Sequence, residues 1–273
     1  MNPDKLAKIR SFAACDVALQ FVDGHVLLGE ADIAAHGTAG EGLVGRLKDF
    51  LKQYPALYSI LISFFTSVRI AAQFKRELDA VLKQYDETAV IVNIGSGPSR
   101  INNRGDIINV DIFPFETVDV CVAPGPLPFH TNSVDLLLSI ATLEHIADPV
   151  SMVNEFRRVL KPDGELLLYL PFMQPFHAAP SDFQRWTEEG CKVLCSGFAQ
   201  VKQGIGAGPT SGFLWIGCEW LALLLSFGNE TVRSLFSLFL VVLTSPLKYI
   251  DCLLEHNTNA KLIASAFYIR AKK

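Results

Sequence analysis

Short apolar runs punctuate the middle of this chain, and longer ones sit beside them. Residues 89–94 (Ala-Val-Ile-Val-Asn-Ile) run apolar except for Asn93 and stop at Gly95. A short β-branched run ended by glycine predicts a strand buried on both faces. Residues 107–111, 118–122, 133–140 and 165–170 repeat this texture and predict four more strands. Between the last two, Val150, Val153, Phe156 and Leu160 recur at helical spacing. Asp148 there is a candidate N-cap, with Pro149 at the first helical position. Lys161-Pro162-Asp163-Gly164 is expected to end that helix. Short apolar strands alternating with helices imply a mostly parallel sheet with right-handed crossovers.

The flanks read differently. Residues 17–21 and 26–28 are apolar runs around Asp23-Gly24, a pair suited to a tight hairpin turn. Residues 36–45 are Gly-rich and read as a linker. Residues 47–54 and 56–84 predict helices, the second amphipathic through Ile70, Phe74, Leu78, Val81 and Leu82. Beyond 187–196 (helix) and 198–202 (strand) come two strongly apolar stretches, 213–227 and 235–247. Residues 262–269 predict a last strand. The expected organisation is a hairpin appendage and linker at 1–42, a helical extension at 43–86 and a nucleotide-binding core at 87–203. An apolar helical insertion at 204–258 and a returning strand at 259–273 follow.

Composition narrows the function classes. The 273 residues carry 24 Lys and Arg against 28 Asp and Glu, and no basic run. A nucleic-acid partner is therefore not expected. Half the residues are hydrophobic and only 19% are charged, which favours a membrane surface or an oligomer over disorder. Cys15, Cys121, Cys191, Cys195, Cys218 and Cys252 lack a disulfide framework's spacing and read as free thiols of a reducing compartment. No cluster of His, Asp, Glu and Cys has metal-ligand spacing, so no metal is expected. The polar start, with Asp16 and Asp23 soon after, does not read as a signal peptide. A cytoplasmic location is expected, peripheral on the inner face of the membrane if the apolar stretches face lipid.

The chemistry concentrates after the first core strand. Gly95-Ser96-Gly97 allows a sharp turn and close backbone approach by a ligand. Asp111, at the tip of the second strand, can accept both hydroxyls of a ribose. A dinucleotide loop would need a third glycine where this chain has Arg100, and Pro98 intervenes. An adenosyl ligand without phosphates fits this loop better than NAD.

Residues 90–170 resemble the class I S-adenosylmethionine-dependent methyltransferases, in their small-molecule branch. Val90-Ile91-Val92-Asn93-Ile94-Gly95-Ser96-Gly97 matches the first motif and Asn109-Val110-Asp111 the ribose-binding strand end. Leu127-Pro128-Phe129 with Ser133-Val134-Asp135, then 143–149, then 158–166, match the next three blocks in order. The resemblance implies a Rossmann-like sheet, mostly parallel with an antiparallel last strand, and S-adenosylmethionine as cofactor. It implies that Gly95 and Gly97 pack on the cofactor, that Asp111 holds the ribose and that Ile94 or Ser96 lines the pocket. Ala141 to Leu143 would lie under the cofactor near the transferred methyl. Two positions depart from the family: Asn93 where an acid is usual, and Ala123 where many members place an acceptor for the adenine amine.

For a hydroxyl acceptor, three residues at strand ends are candidate bases: His145, His177 and Asp182. Residues 176–187 form a polar, aromatic, Pro-interrupted segment, a candidate substrate loop carrying Phe176, His177, Asp182 and Arg185. It resembles a pattern in bacterial methyltransferases associated with glycan or lipid-linked sugar metabolism. The alternative for Asp182 and Arg185 is a loop-shaping ion pair, and for His145 a structural role. The expected activity is methyl transfer to a hydroxyl of a glycan, lipid-linked or lipid-like acceptor. A quinone-like acceptor and a non-catalytic scaffold are the alternatives. Residues 213–247 are open to two readings: a helical cap against the core or a dimer partner, or a helical pair at a membrane surface. The hairpin resembles a degraded zinc ribbon in which only Cys15 survives, so no zinc is expected there.

Overall fold

The apolar runs of the core become the central strands of one mixed sheet. The computed structural model describes residues 3–14, 19–22, 24–28, 67–101 and 104–273. The linker, the helix at 47–54, the first part of 56–84 and Cys15 lie outside them. Among the described residues the strands are β1 (Leu19–Val22), β2 (His25–Leu28), β3 (Ile91–Ile94), β4 (Ile108–Asp111), β5 (Val120–Val122), β6 (Val134–Ile140), β7 (Leu160–Pro171), β8 (Gln200–Ala207) and β9 (Ala266–Lys272). Their spatial order is β1-β2-β5-β4-β3-β6-β7-β9-β8. Strands β2, β5, β4, β3, β6 and β7 pair in parallel, and β9 runs antiparallel to both β7 and β8. This is the expected sheet with its antiparallel last strand.

Alternation along the strands divides two cores. Val92 and Ile94 of β3, Leu137 of β6 and Leu166, Leu168 and Leu170 of β7 face one side. There they meet Ile9 and Phe12 of helix α1 (Pro3–Phe12), Phe156 and Val159 of α3 (Pro149–Val159), and Cys191 and Leu194 of α4 (Glu188–Leu194). Ile91, Leu136, Leu138, Leu167 and Tyr169 face the other side, covered by Phe74, Leu78, Val81 and Leu82 of α2 (Ala72–Leu82). Asp148 caps α3 by accepting from Ser151 N at 3.0 Å.

Several boundaries differ from the sequence expectation. Helix α2 starts at Ala72, not upstream, because residues 67–71 are extended and Ile70 bridges Ala207 of β8. The Lys161-Pro162-Asp163-Gly164 turn belongs to β7, entered through a bulge opposite Val134–Leu136. Strand β8 runs past Lys202 to Ala207, and β9 starts at Ala266 after a short 3-10 turn, Ala260–Ile263. Among the described residues no helix joins β3 to β4, β4 to β5 or β5 to β6, so the alternation expected there is absent. The hairpin forms as expected, but β2 also pairs with β5 and so continues the sheet.

The apolar stretches form α5 (Pro209–Ser226) and α6 (Glu230–Thr244). Their polar groups face each other. Arg233 donates to Glu219 at 2.8 Å, Ser237 donates to Glu219 at 2.5 Å, and Cys218 meets Thr244 at 3.3 Å. The Asp251 carboxylate caps α5, accepting from Thr210 N at 2.7 Å and from Ser211 N and Oγ at 2.9 and 2.7 Å. The outward faces are apolar: Phe213, Trp220, Leu223, Leu224 and Phe227 on one side, Leu235, Phe239 and Leu243 on the other, all exposed. Helix α6 has no buried residue, so the chain's own core does not cover it. The helical run Glu230–Leu254 is long and apolar enough to cross a membrane by length and composition. Its end, however, is tied into the fold by Asp251.

Candidate functional site

The carboxyl ends of parallel strands gather the candidate residues at one edge of the sheet. Strand β3 ends in Gly95 (φ +69°), Ser96 and Gly97 (φ +58°), both glycines being left-handed. At Gly95 only glycine fits, since a Cβ would sit 2.2 Å from Thr142 Cγ2. At Gly97 the space is open, with nothing within 4 Å of that position. The Ser96 hydroxyl is buried without a hydrogen-bond partner. An open glycine cradle beside an orphaned buried hydroxyl is what a closely held polar ligand would complete.

Asp111, at the end of β4, is 9% exposed. It accepts from Gly97 N at 2.8 Å and from Phe113 N at 3.0 Å, which aims its carboxylate at the turn. Burial raises its pKa, and the backbone N–H groups of Phe113, Gly97 and Ile112 oppose that shift. Asn93 pairs in register with Asn109 of β4 and donates to its Oδ1 at 3.1 Å. The amide is thus part of a polar rung between the strands. Ala123, one residue past β5, is exposed and offers no side-chain acceptor. Ala141 takes φ +52° at the end of β6 and turns the chain back under the glycine loop. Thr142 follows, its hydroxyl 3.3 Å from the carbonyls of Ile94 and Gly95. Leu143 is buried. These residues lie together at the ends of β3, β4 and β6.

The second half of the site meets the first at the Leu143–His145 3-10 turn. His145 Nδ1 lies 2.6 Å from the Ser181 carbonyl and His177 Nδ1 lies 2.9 Å from the Pro175 carbonyl. A carbonyl only accepts, so each Nδ1 donates to it, and Arg185 Nη2 also lies 3.2 Å from His177 Nδ1; in the neutral rings each Nε2 is then the unprotonated nitrogen. Both Nε2 atoms look toward Glu144 Oε1, at 3.9 Å from His145 and 3.8 Å from His177. Glu144 is fully buried and neither of its carboxylate oxygens has a hydrogen-bond partner. Spacing along the sequence gives no sign of this cluster. Folding brings one ligand atom each from Glu144, His145 and His177 within 4.8 Å of one another. Burial works against charge on His177, but the Glu144 carboxylate and the Pro175 carbonyl outweigh it and raise its pKa.

Asp182 is not available as a base. Arg185 grips it with two bonds of 2.5 and 2.6 Å, and His177 N donates to it at 2.7 Å. The Arg185 bonds, in the main, hold its carboxyl down at about 2. Arg185 also donates to the carbonyls of Gln174, Pro175 and Gln184 at 3.2, 2.7 and 2.7 Å. The pair shapes the loop that presents His177. Phe176 and Phe183 stand exposed on the same loop. Trp215 of α5 lies on the His177 ring, centroids 5.1 Å apart, which joins the apolar helices to the site. Glu144 and Trp215 are the site residues that the sequence patterns did not place at the site, whereas Thr142 lies within the expected 141–143 segment. Only the adjacency of Glu144 to His145 signals either of the first two.

Residues 98–168 match the model of the family described as Methyltransferase domain. No curated protein matches the sequence. Among solved structures, the chain is similar to a SAM-dependent methyltransferase of Thermotoga maritima, at 17% identity and TM-score 0.45, over 82% of this chain and 99% of that one. It is also similar to phosphoethanolamine N-methyltransferase 2 of Haemonchus contortus, at 16% identity and TM-score 0.45, over 82% of this chain and 59% of that one. A SAM-dependent methyltransferase of Archaeoglobus fulgidus is similar at 16% identity and TM-score 0.43, over 79% and 99% of the two chains.

Proposed function

From the match of residues 98–168 to the methyltransferase domain family, we propose that the chain is a class I S-adenosylmethionine-dependent methyltransferase that methylates a hydroxyl of a lipid-like or lipid-linked acceptor presented at a membrane surface. The observation that carries this reading is the contact between Trp215 and His177. Through it, the exposed apolar pair α5–α6 borders the acceptor half of the site. A contiguous apolar face of that size marks an interaction surface. Its facing polar rungs and apolar outer faces suit a helical pair lying in the lipid interface. The location is then the inner face of the membrane, with the chain peripheral.

Bound at the Gly95–Gly97 turn, S-adenosylmethionine supplies an electrophilic methyl on a sulfonium. Asp111 holds the ribose hydroxyls and Ser96 lines the pocket. Ala141 to Leu143 carry the chain from that pocket to the Glu144–His145–His177 cluster, which faces the acceptor oxygen. Alignment and exclusion of water supply most of the rate, because the displacement is in line. The acceptor hydroxyl loses its proton at the cluster, where one carboxylate and two imidazole lone pairs converge. Arg185 and Asp182 hold the loop that positions His177.

The test is transfer of an isotope-labelled methyl to whole-cell extract, followed by separation into organic-soluble and water-soluble fractions. Label in organic-soluble material supports the reading. Label confined to water-soluble small molecules refutes it.

A further inference from the structure

Glu144, His145 and His177 pose an electrostatic problem. Each imidazole commits its Nδ1–H to a backbone carbonyl, at 2.6 and 2.9 Å. Each Nε2 then faces Glu144 Oε1, at 3.9 and 3.8 Å, too far for a hydrogen bond. The carboxylate itself is fully buried with both oxygens unpartnered. An unpaired buried carboxylate is among the costliest groups a fold can hold. With both rings neutral, their Nε2 lone pairs add repulsion to that cost. A cation between them removes both.

We propose that Glu144, His145 and His177 bind one divalent transition-metal ion. Two imidazoles and one carboxylate suit zinc, manganese, iron or cobalt, whereas magnesium and calcium prefer all-oxygen shells. Three protein ligands leave further positions for substrate. Both histidines already have the outer-shell bond, Nδ1–H to a carbonyl, that orients a metal-bound imidazole. Ligand atoms sharing one ion lie roughly 3–3.5 Å apart, so the observed separations close with small side-chain rotations.

The proposal deepens the proposed function, and it rests on that reading only for the identity of the acceptor. In that setting the histidines act as ligands. The acceptor hydroxyl coordinates the ion, which lowers its pKa, and its proton passes to solvent. The oxygen then forms its bond to the methyl carbon as the carbon–sulfur bond breaks. That electron pair stays on sulfur and leaves a neutral thioether.

The test uses the full chain, stripped by dialysis against a chelator. Cobalt(II) is added and followed by its visible absorption, and zinc affinity is measured by competition with a chromophoric chelator. The expected result is one equivalent per chain, with affinity lowered at least ~100-fold in Glu144→Gln and in His177→Asn. Glu144→Asp, which keeps the charge, is expected to retain binding and controls for folding. Asp111→Ala is expected to keep the metal and lose S-adenosylmethionine. No saturable binding, or binding that the Glu144 and His177 substitutions leave unchanged, overturns the proposal. Labelled lipid without metal binding sinks the metal site alone. Metal binding with label only in water-soluble products sinks the acceptor reading alone.

Discussion

Gly95 and Thr142 interlock across the ends of β3 and β6. A Cβ at Gly95 would fall 2.2 Å from Thr142 Cγ2, and the Thr142 hydroxyl lies 3.3 Å from the Gly95 carbonyl. Gly95 is left-handed as well. Gly95→Ala is therefore expected to cost about 1–3 kcal/mol from backbone strain, before any clash is relieved. Denaturant unfolding measures that loss, and calorimetric titration should find S-adenosylmethionine binding abolished. Gly97→Ala meets only the strained φ, since its surroundings are open, and is expected to fold better than Gly95→Ala.

Held by Arg185 and the His177 amide, Asp182 is expected to position the loop without taking the acceptor's proton. Removing it leaves Arg185 without its carboxylate, so Asp182→Ala is expected to lower stability by about 3 kcal/mol and to weaken activity. The discriminating measurement is the pH–rate profile of Asp182→Asn. Its acid limb should stay where it is in the unaltered chain, because a carboxyl held at about 2 does not titrate in the working range. A shifted limb would return Asp182 to the list of bases.

Phe227 ends α5 in a left-handed conformation, φ +48°, with its ring 94% exposed. Asn tolerates that backbone far better than Phe, a difference of about 1–2 kcal/mol. Phe227→Asn is thus expected to raise the stability of the chain in water. If the ring enters lipid, the same change should weaken binding to anionic phospholipid vesicles roughly 10- to 100-fold. Opposite signs for thermal unfolding and vesicle flotation are the expected pattern. An unchanged flotation would detach this face from the membrane.

Acid stability should respond to Arg104 and Asp106. Arg104 donates to both carboxylate oxygens of Asp106 and to the Leu82 carbonyl at 2.7 Å, fastening the end of α2 to the approach to β4. That pairing holds the Asp106 carboxyl below its ordinary value. The stabilisation is complete above the unfolded pKa of about 3.9 and disappears as pH falls through the lower folded value. Asp106→Asn should therefore lower the melting temperature at neutral pH. The gap to the unaltered chain should close in strong acid.

Much of this was legible in the sequence because it is local. The runs at 89–94, 107–111 and 133–140 became β3, β4 and β6, and the Asp148 cap and the hairpin formed where their residues indicated. The Gly95–Gly97 turn and Asp111 also meet as expected, through the Gly97 N bond. What the sequence did not reveal depends on distant partners. Residues 67–71 carry a helical pattern but are held extended, with Ile70 bridged to Ala207, a tertiary contact overriding local preference. Lys161 to Gly164 read as a helix stop, yet β7 already runs through them. Glu144 looked like an ordinary motif residue, since His177 lies 33 positions away and the spacing gives no sign that they meet. The exposure of α6 was equally hidden, because hydropathy does not distinguish a buried apolar face from an exposed one.

The central claim is that the glycine turn and the Glu144–His145–His177 cluster are two halves of one active centre. A crystal structure with S-adenosylhomocysteine tests it most directly. The expected result places the ribose hydroxyls within hydrogen-bond distance of Asp111, and the sulfur beside Ala141–Leu143, facing His145 and His177. A ribose bound away from Asp111, or a sulfur turned from the cluster, would contradict it.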